Sequence, residues 1–372
     1  MKIAIDAFEG NMSDRTGPGA YVYNLIKALS SIDNSNEYSL FCAEPVSEGL
    51  RDLPDNFKVN SFRVPVNRTL WSQVILPLAL RGKEYDVAHI PGHRTPVFKG
   101  RGTVATIFDL AYLHFKDYFK RAHYCRLKYF TEITLKNADR VIAISDFTKN
   151  DIIENYKISP EKIDVVHLGV DSHFADTTGG GELDKVKQRY SITNKYLIHV
   201  GSLQPRKNIS RLIRVFEEIN KGRAEGLQLV LAGKKGWMYD EIFTIIGDLG
   251  LMDDVLVLEY VKMEDLPALI KGAEALVLPS LYEGFGLPVI EGFACGTPVA
   301  ASNASSLPEV GGDAAVYFDP YSEDDMRSVI KTILEDVSLR NDLKQKGMER
   351  AKQFSWEKTA QETLDTYGRI VK

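Results

Sequence analysis

The sequence predicts an α/β protein of two doubly wound domains, each a parallel sheet wrapped by helices. Short runs of consecutive apolar residues alternate with segments of helical periodicity almost from end to end. About twelve such runs are too many for one ordinary open sheet. The chain has 372 residues, 44% hydrophobic and 26% charged, enough to fill two cores of common size.

In the first half the expected strands are Lys2–Ala7, Tyr38–Ala43, Asp86–Ile90, Thr103–Phe108, Arg140–Ser145 and Ile163–Leu168. In the second half they are Tyr196–Gly201, Leu227–Gly233, Val255–Tyr260, Ala275–Pro279, Val299–Ser302 and Ala315–Asp319. Most place apolar side chains on consecutive residues, the pattern of strands buried on both faces. Between them Val22, Leu25, Ile26 and Leu29, and later Leu212, Ile213, Phe216 and Ile219, recur at helical spacing. The Gly/Thr-rich stretch Asp176–Gly181 reads as a linker. The expected division is a domain over 1–175, a linker region over 176–189 and a domain over 190–355. A closing helix over 356–372 carries Trp356, Ala360, Thr363, Leu364 and Tyr367 on one face, expected to pack back on the N-terminal domain. Two such domains with sheets facing a central cleft suggest a ligand at the carboxyl ends of the strands.

Composition excludes several classes. Lys plus Arg total 46 against 51 for Asp plus Glu, a net charge of −5, which argues against a general nucleic-acid footprint. Cys42, Cys125 and Cys295 are isolated, so neither a disulfide framework nor a thiolate zinc site is indicated, and a reducing, cytoplasmic setting follows. The opening Met1–Asp6 meets an acid too early for a signal peptide. The weakly polar run Leu70–Leu80 is far short of the roughly 20 residues that a membrane span needs. No Asp-x-Asp or His/Asp cluster has metal-ligand spacing, so no metal is expected.

The most informative segment runs from Ala275 to Glu291. A buried strand leads into a loop with Glu283, Gly284, Phe285 and Gly286, and a helix starts near Leu287 with Pro288 in its first turn. The glycines let backbone N–H groups approach a ligand, and a helix start favours an anion such as phosphate. Helical side chains lean toward the N-terminus, so Glu283 and Glu291 can flank one bound molecule. Carboxylates accept hydrogen bonds from vicinal diols, which fits a sugar phosphate or a nucleotide sugar. The plainer reading is two solvated acids at a helix start.

The run Glu283-Gly-Phe-Gly-Leu-Pro-Val-Ile-Glu291-Gly-Phe-Ala-Cys295-Gly-Thr-Pro-Val-Ala resembles glycosyltransferase family 4, with the E-x7-E motif of retaining enzymes of the GT-B fold. Gly201-Ser-Leu-Gln-Pro-Arg206-Lys207-Asn208 and Gly233-Lys-Lys-Gly-Trp237 are similar to the branch that includes bacterial O-antigen mannosyltransferases. The likeness covers nearly the whole chain and is strongest from Tyr196 to Pro320. It implies that Glu283 faces the donor sugar and Glu291 the nucleotide ribose.

Other parts of the site follow. Arg206 and Lys207 lie just past a strand's carboxyl end and suit a diphosphate, where they would stabilise charge growing on the leaving group. Gly201 and Ser202 precede them, and Ser202 stands where many family members have Arg. Gly17-Pro18-Gly19 resembles the family's glycine loop near the donor phosphate; otherwise it is a tight turn before a helix. Asp109 ends a strand at the expected cleft rim, after Phe108 where relatives commonly have His, and either orients a substrate or caps the next segment. His89, His93 and His114 lie near the same rim, with His93 and Arg94 the best placed for acceptor contact. Tyr112–Phe130 interleaves aromatics with five basic residues and one acid, which suits a lipid surface or equally a solvated helix face.

The expected function is retaining transfer of a hexose from a nucleotide sugar to a saccharide or lipid-linked saccharide acceptor. GDP-mannose is favoured, UDP-sugars remain open, and no cofactor is required. The setting is the cytoplasm or the inner face of the plasma membrane. Alternatives are a nucleotide-sugar epimerase, a phosphorylase, or a catalytically silent nucleotide-sugar-binding homologue.

Overall fold

The computed structural model describes every residue except 13–14, 16, 64–66, 97–101, 176–179, 224–225 and 372, and all described side chains except those of 180–182. The chain divides into two compact units, one of Met1–Gly169 with Ser355–Lys372 and one of Val170–Phe354.

The first unit holds strands β1 (Lys2–Asp6), β2 (Glu37–Ala43), β3 (Phe57–Phe62), β4 (Val87–Pro91), β5 (Thr103–Ile107), β6 (Arg140–Ala143) and β7 (Ile163–Val165). They form one sheet in the order β3-β2-β1-β4-β5-β6-β7, with every pair parallel. The central strands are buried on both faces, as their unbroken apolar runs require; all five residues of β5 are buried. One face packs Ile107, Tyr112, Leu135 and Val141, and another cluster gathers Ala4, Phe8, Phe41 and Trp71. The helix Trp356–Val371 belongs to this unit. Its Tyr367 hydroxyl meets His89 Nδ1 at 2.7 Å, and its Thr359 hydroxyl donates to the His167 carbonyl at 2.8 Å. Arg369 pairs with Asp164.

The second unit holds β8 (Lys195–Val200), β9 (Leu227–Ala232), β10 (Val255–Leu258), β11 (Ala275–Leu278), β12 (Val299–Ser302) and β13 (Ala315–Phe318). Their order is β10-β9-β8-β11-β12-β13, again all parallel. The Ile209–Asn220 helix buries Leu212, Ile213, Phe216 and Ile219 in a core shared with Leu197, Leu229 and Leu231. These four are the residues of the helical spacing, and they form one stripe facing the sheet.

Three differences from the sequence expectations have physical causes. β3 was not anticipated, because its Phe-Lys-Val-Asn-Ser-Phe mixes polar and apolar residues, as an edge strand with one exposed face does. Residues 176–179 of the expected 176–189 linker lie outside the described residues, while Gly180–Arg189 forms a helix, which the glycines at its start disguise. The first unit ends at Gly169 rather than near 175. Among the described residues, no helix is long and apolar enough to cross a membrane.

Candidate functional site

Each sheet reverses its strand order at one point, between β1 and β4 in the first unit and between β8 and β11 in the second. Ligands of doubly wound sheets bind outside the carboxyl ends of the strands at such switch points.

In the second unit the chain leaving β8 runs through Gly201 and Ser202 into a short turn, Pro205–Lys207. The chain leaving β11 runs through Ser280 to Glu283. The two loops are joined where the Leu281 amide donates to the Arg206 carbonyl at 2.8 Å and Asn208 Nδ2 donates to the Pro279 carbonyl at 3.1 Å. This stitching brings Glu283 against both cations. Its Oε1 accepts from Lys207 Nζ and, at 2.7 Å, from the Ser280 hydroxyl; its Oε2 accepts from Arg206 Nη1 at 3.1 Å. Arg206 Nη1 also donates to the Tyr282 carbonyl at 2.7 Å. The Glu283 amide donates to the Ser305 hydroxyl at 2.8 Å, and the Ser306 hydroxyl lies 2.9 and 2.8 Å from the Glu283 and Phe285 carbonyls.

Glu283 is only 7% exposed. Burial alone would raise its carboxyl, but the Lys207 and Arg206 charges, with hydrogen bonds from Lys207 and Ser280, outweigh burial and hold it at about 2. A carboxylate offers about four acceptor positions, and these partners fill three. Among the described residues, one position on Oε2 is left for a further donor such as a hydroxyl. Two cations meet on one carboxylate at the switch point. Paired cations past a strand's carboxyl end suit a diphosphate.

Gly286 starts the Leu287–Ala294 helix with φ +109°, and no side chain caps that start. A Cβ on Gly286 would come 2.6 Å from Leu307 Cδ2, so both conformation and space select glycine. Gly284 and Phe285 are buried beside it, with Phe285 stacked edge-on to Phe354, and Leu287 is half-buried. Glu291 sits on the same helix and is half-buried. Burial pushes its carboxyl up to about 7, with the nearby His173 charge opposing and Asp171 adding. Ser202, expected to replace a family Arg, accepts a hydrogen bond from Gln204 Nε2 at 2.9 Å.

The first unit holds the other expected residues. Asp109 follows β5 and accepts from the Ala111 amide at 3.1 Å. His93 Nδ1 lies 3.0 Å from the Thr131 hydroxyl, and its ring sits edge-on to Tyr112. Burial lowers its pKa, with the Asp109 charge opposing and Arg94 adding. Arg94 Nη1 donates to the Thr69 hydroxyl at 3.3 Å. Gly17 and Gly19 are already helical, in Gly17–Ile32, rather than on a loop. Gly17 is exposed with nothing near its Cβ position, whereas a Cβ on Gly19 would come 2.8 Å from the Glu9 carbonyl. His89 has both ring nitrogens occupied, by Tyr367 and Thr106 at 2.7 Å each, and is structural. His114 is engaged 2.7 Å from Asp151. Phe108 packs edge-on to Tyr21.

Sequence reasoning passed over a second cluster, at the β1/β4 switch point. Asp6, 3% exposed, accepts from Trp71 Nε1 at 2.8 Å and from Arg68 Nη1 at 3.1 Å. Arg68 also reaches Glu9 at 3.2 Å and the Pro91 carbonyl at 3.2 Å. An acid ending an apolar strand was the visible signal for Asp6; nothing local marked its partners. Ser280, Ser305 and Ser306 were likewise missed, since a serine carries no pattern of its own.

Two doubly wound parallel sheets with these strand orders give the chain the GT-B fold. Residues 15–174 match the family model described as Glycosyltransferase Family 4, and residues 182–350 match Glycosyl transferases group 1. The chain belongs to this glycosyltransferase family. It is 32% identical over 291 residues to the O-antigen chain mannosyltransferase B of Escherichia coli, covering 78% of this chain and 76% of that one. It is 29% identical over 239 residues to the serotype-specific mannosyltransferase WbdA of Escherichia coli; this match covers 63% of the present chain and only 29% of WbdA. Among solved structures, Anabaena Alr3699/HepE in complex with UDP-glucose superposes with a TM-score of 0.76 at 18% identity, covering 99% of this chain and 100% of that one.

Proposed function

We propose that this glycosyltransferase moves a hexose from a nucleotide sugar to an acceptor hydroxyl with retention at the anomeric carbon, without a metal, in O-antigen or polysaccharide synthesis. GDP-mannose is the favoured donor, because the relatives reported above are named as O-antigen and serotype-specific mannosyltransferases. A UDP-hexose is the alternative donor, since HepE was solved with UDP-glucose.

The observation that carries the reading is Glu283 held between Arg206 and Lys207 with, among the described residues, one acceptor position left over. In this mechanism that position takes a sugar hydroxyl, and Arg206 and Lys207 meet the diphosphate. The helix start behind Gly286 adds to the anion site, and Glu291 receives the ribose diol. As the bond from anomeric carbon to diphosphate oxygen breaks, charge grows on the leaving oxygen, and Arg206 and Lys207 stabilise it without reorganising. The acceptor oxygen enters from the same face, and its proton passes to the departing phosphate oxygen. His93, Arg94 and Asp109 are proposed to meet the acceptor, a saccharide or lipid-linked saccharide. The basic and aromatic Tyr112–Phe130 segment is proposed to touch a membrane surface peripherally, at the cytoplasmic face.

A thermal-shift screen over GDP- and UDP-sugars tests the donor, because a ligand that binds only the folded state raises its melting temperature. NMR of the first-formed product tests the stereochemistry. No shift with any nucleotide sugar, or an inverted anomeric configuration, would overturn the reading.

A further inference from the structure

The weakly polar run Leu70–Leu80 has no part in the proposed chemistry. It lies in a helical stretch, Arg68–Leu80, that passes through a π turn over Trp71–Ile75 and carries no charged residue after Arg68. Its inner side places Trp71 and Leu76 in one cluster with Ala4, Phe8, Phe41 and Ile90. Its outer side leaves Leu70, Val74 and Leu78, four residues apart, 39%, 45% and 62% exposed. The Arg121–Asn137 helix lies beside it. Ala88 and Ile90 of β4 pair with Thr103 and Ala105 of β5, so all four share one face of the sheet. The first helical stretch packs on Ala88 and Ile90, and the Arg121–Asn137 helix packs Leu135 with Ala105. Segment 93–96 runs between the two. On one side Arg94 Nη1 donates to the Thr69 hydroxyl, and Gln73 Nε2 donates to the Thr95 carbonyl at 3.1 Å. On the other, His93 meets the Thr131 hydroxyl, and the Thr95 amide donates to the Thr134 hydroxyl at 3.0 Å. A cavity of about 550 Å³ opens here. Val74, Pro77, Leu78 and Leu80 stand over Ala88 and Ile90, and no aromatic ring lines it among the described residues. The Gln73 and Asn137 amides in its wall are engaged by the Thr95 and Pro96 carbonyls. Arg81 lines its rim, exposed and without an acidic partner among the described residues. The neighbouring helix exposes Arg121, Arg126, Lys128 and Lys136 against one acid, Glu132, which Lys136 engages.

We infer that this face of the first unit docks on an anionic lipid bilayer: Leu70, Val74 and Leu78 enter the headgroup region, an acyl chain fills the cavity, and Arg81, Arg121, Arg126 and Lys128 meet the lipid phosphates. The inference rests on the proposed membrane contact of Tyr112–Phe130 and adds the element that inserts. An aliphatic cavity whose polar groups are already paired suits a hydrocarbon chain rather than a polar ligand. Leu70 lies outside the cavity on the same stripe, so a bilayer covers what a small amphiphile would leave in water. The two helices divide the work. Cations draw the unit to an anionic surface with a strength that salt screens, and buried apolar area holds it there with a strength that salt does not.

Co-sedimentation of the full chain with phosphatidylglycerol vesicles and with phosphatidylcholine vesicles tests this, on wild type, Leu78→Asp, Arg81→Ser and the double variant Arg121→Glu with Lys128→Glu. Wild type should prefer phosphatidylglycerol. Leu78→Asp should lower that partition about 10- to 100-fold, the worth of burying one leucine side chain, and the ratio to wild type should persist at high salt. Its melting temperature should match wild type, because the position is exposed. Arg81→Ser should lower the partition about 5-fold, at low salt only. If wild type binds neither vesicle, the inference fails. If the double variant loses binding while Leu78→Asp keeps it, the inference fails and the contact of the basic segment stands. If Leu78→Asp loses binding while the double variant keeps it, the basic segment is the part that fails and insertion of the stripe stands. If the chain is a dimer that Leu78→Asp turns into a monomer, the face joins two copies and the inference fails.

Discussion

Glu283→Gln preserves shape and removes one charge from the most tightly organised point of the second unit. Lys207 is 8% exposed, and Arg206 lies beside it with 15% of its side chain exposed, so both would keep their charges with no carboxylate between them. Breaking a buried pair by removing one partner costs about 3–5 kcal/mol. The depressed carboxyl leads to the same order: a fall from 4.5 to about 2 corresponds to about 3 kcal/mol. For a unit of this size, about 3 kcal/mol lowers the melting temperature by about 6–12 °C. The native value lies below the unfolded one. This stability is therefore fully present above pH 4.5 and is lost as pH falls through about 2. Thermal melts of wild type and variant should differ most at pH 7 and converge between pH 4.5 and 2. Sugar transfer by the variant should fall at least about 100-fold, the scale of losing a group that acts in the transition state. Equal melting temperatures at pH 7, or full activity, would refute the reasoning.

Other outcomes follow from the same geometry. The Glu291 carboxyl is raised from 4.5 to about 7, so its favourable contribution is complete below pH 4.5 and lost as pH rises through about 7. Glu291→Gln should melt with wild type at pH 4.5 and above it at pH 8; coincident melts at pH 8 would contradict this. Tyr367→Phe strips the partner from buried His89 Nδ1 and should cost about 1–3 kcal/mol, read as a lower denaturant midpoint with an unchanged slope. Gly286→Ala forces φ +109° on an L residue against Leu307 and should cost about 1–2 kcal/mol, and it should abolish the thermal shift given by the donor. An unaltered shift would remove the helix start from the site.

Much of this was legible because the signals are local. Twelve of the strands announce themselves by unbroken apolar runs, and Glu283 with Glu291 stand out because spacing along one loop and helix decides which side chains can share a ligand. Arg206 and Lys207 were readable as cations past a strand end. Their contact with Glu283 was not, since it spans 77 and 76 residues and depends on β8 and β11 being neighbours. The Asp6–Arg68–Trp71 cluster was hidden for the same reason, its members being 62 and 65 residues from Asp6. His89 shows the converse failure: position suggested a rim residue, but Tyr367, 278 residues away, claims its ring. β3 escaped because an edge strand needs only one apolar face.

The division of the chain has a consequence for how the protein is made. Val170–Phe354 is one uninterrupted stretch whose ends meet, the Val170 amide donating to the Phe354 carbonyl at 3.1 Å. The first unit is instead completed by residues on both sides of that stretch. During synthesis Met1–Gly169 therefore emerges without Tyr367, and His89 has to wait through the translation of the whole second unit for its partner. The second unit, complete in itself, is free to fold in that interval, so the part begun first is the part finished last.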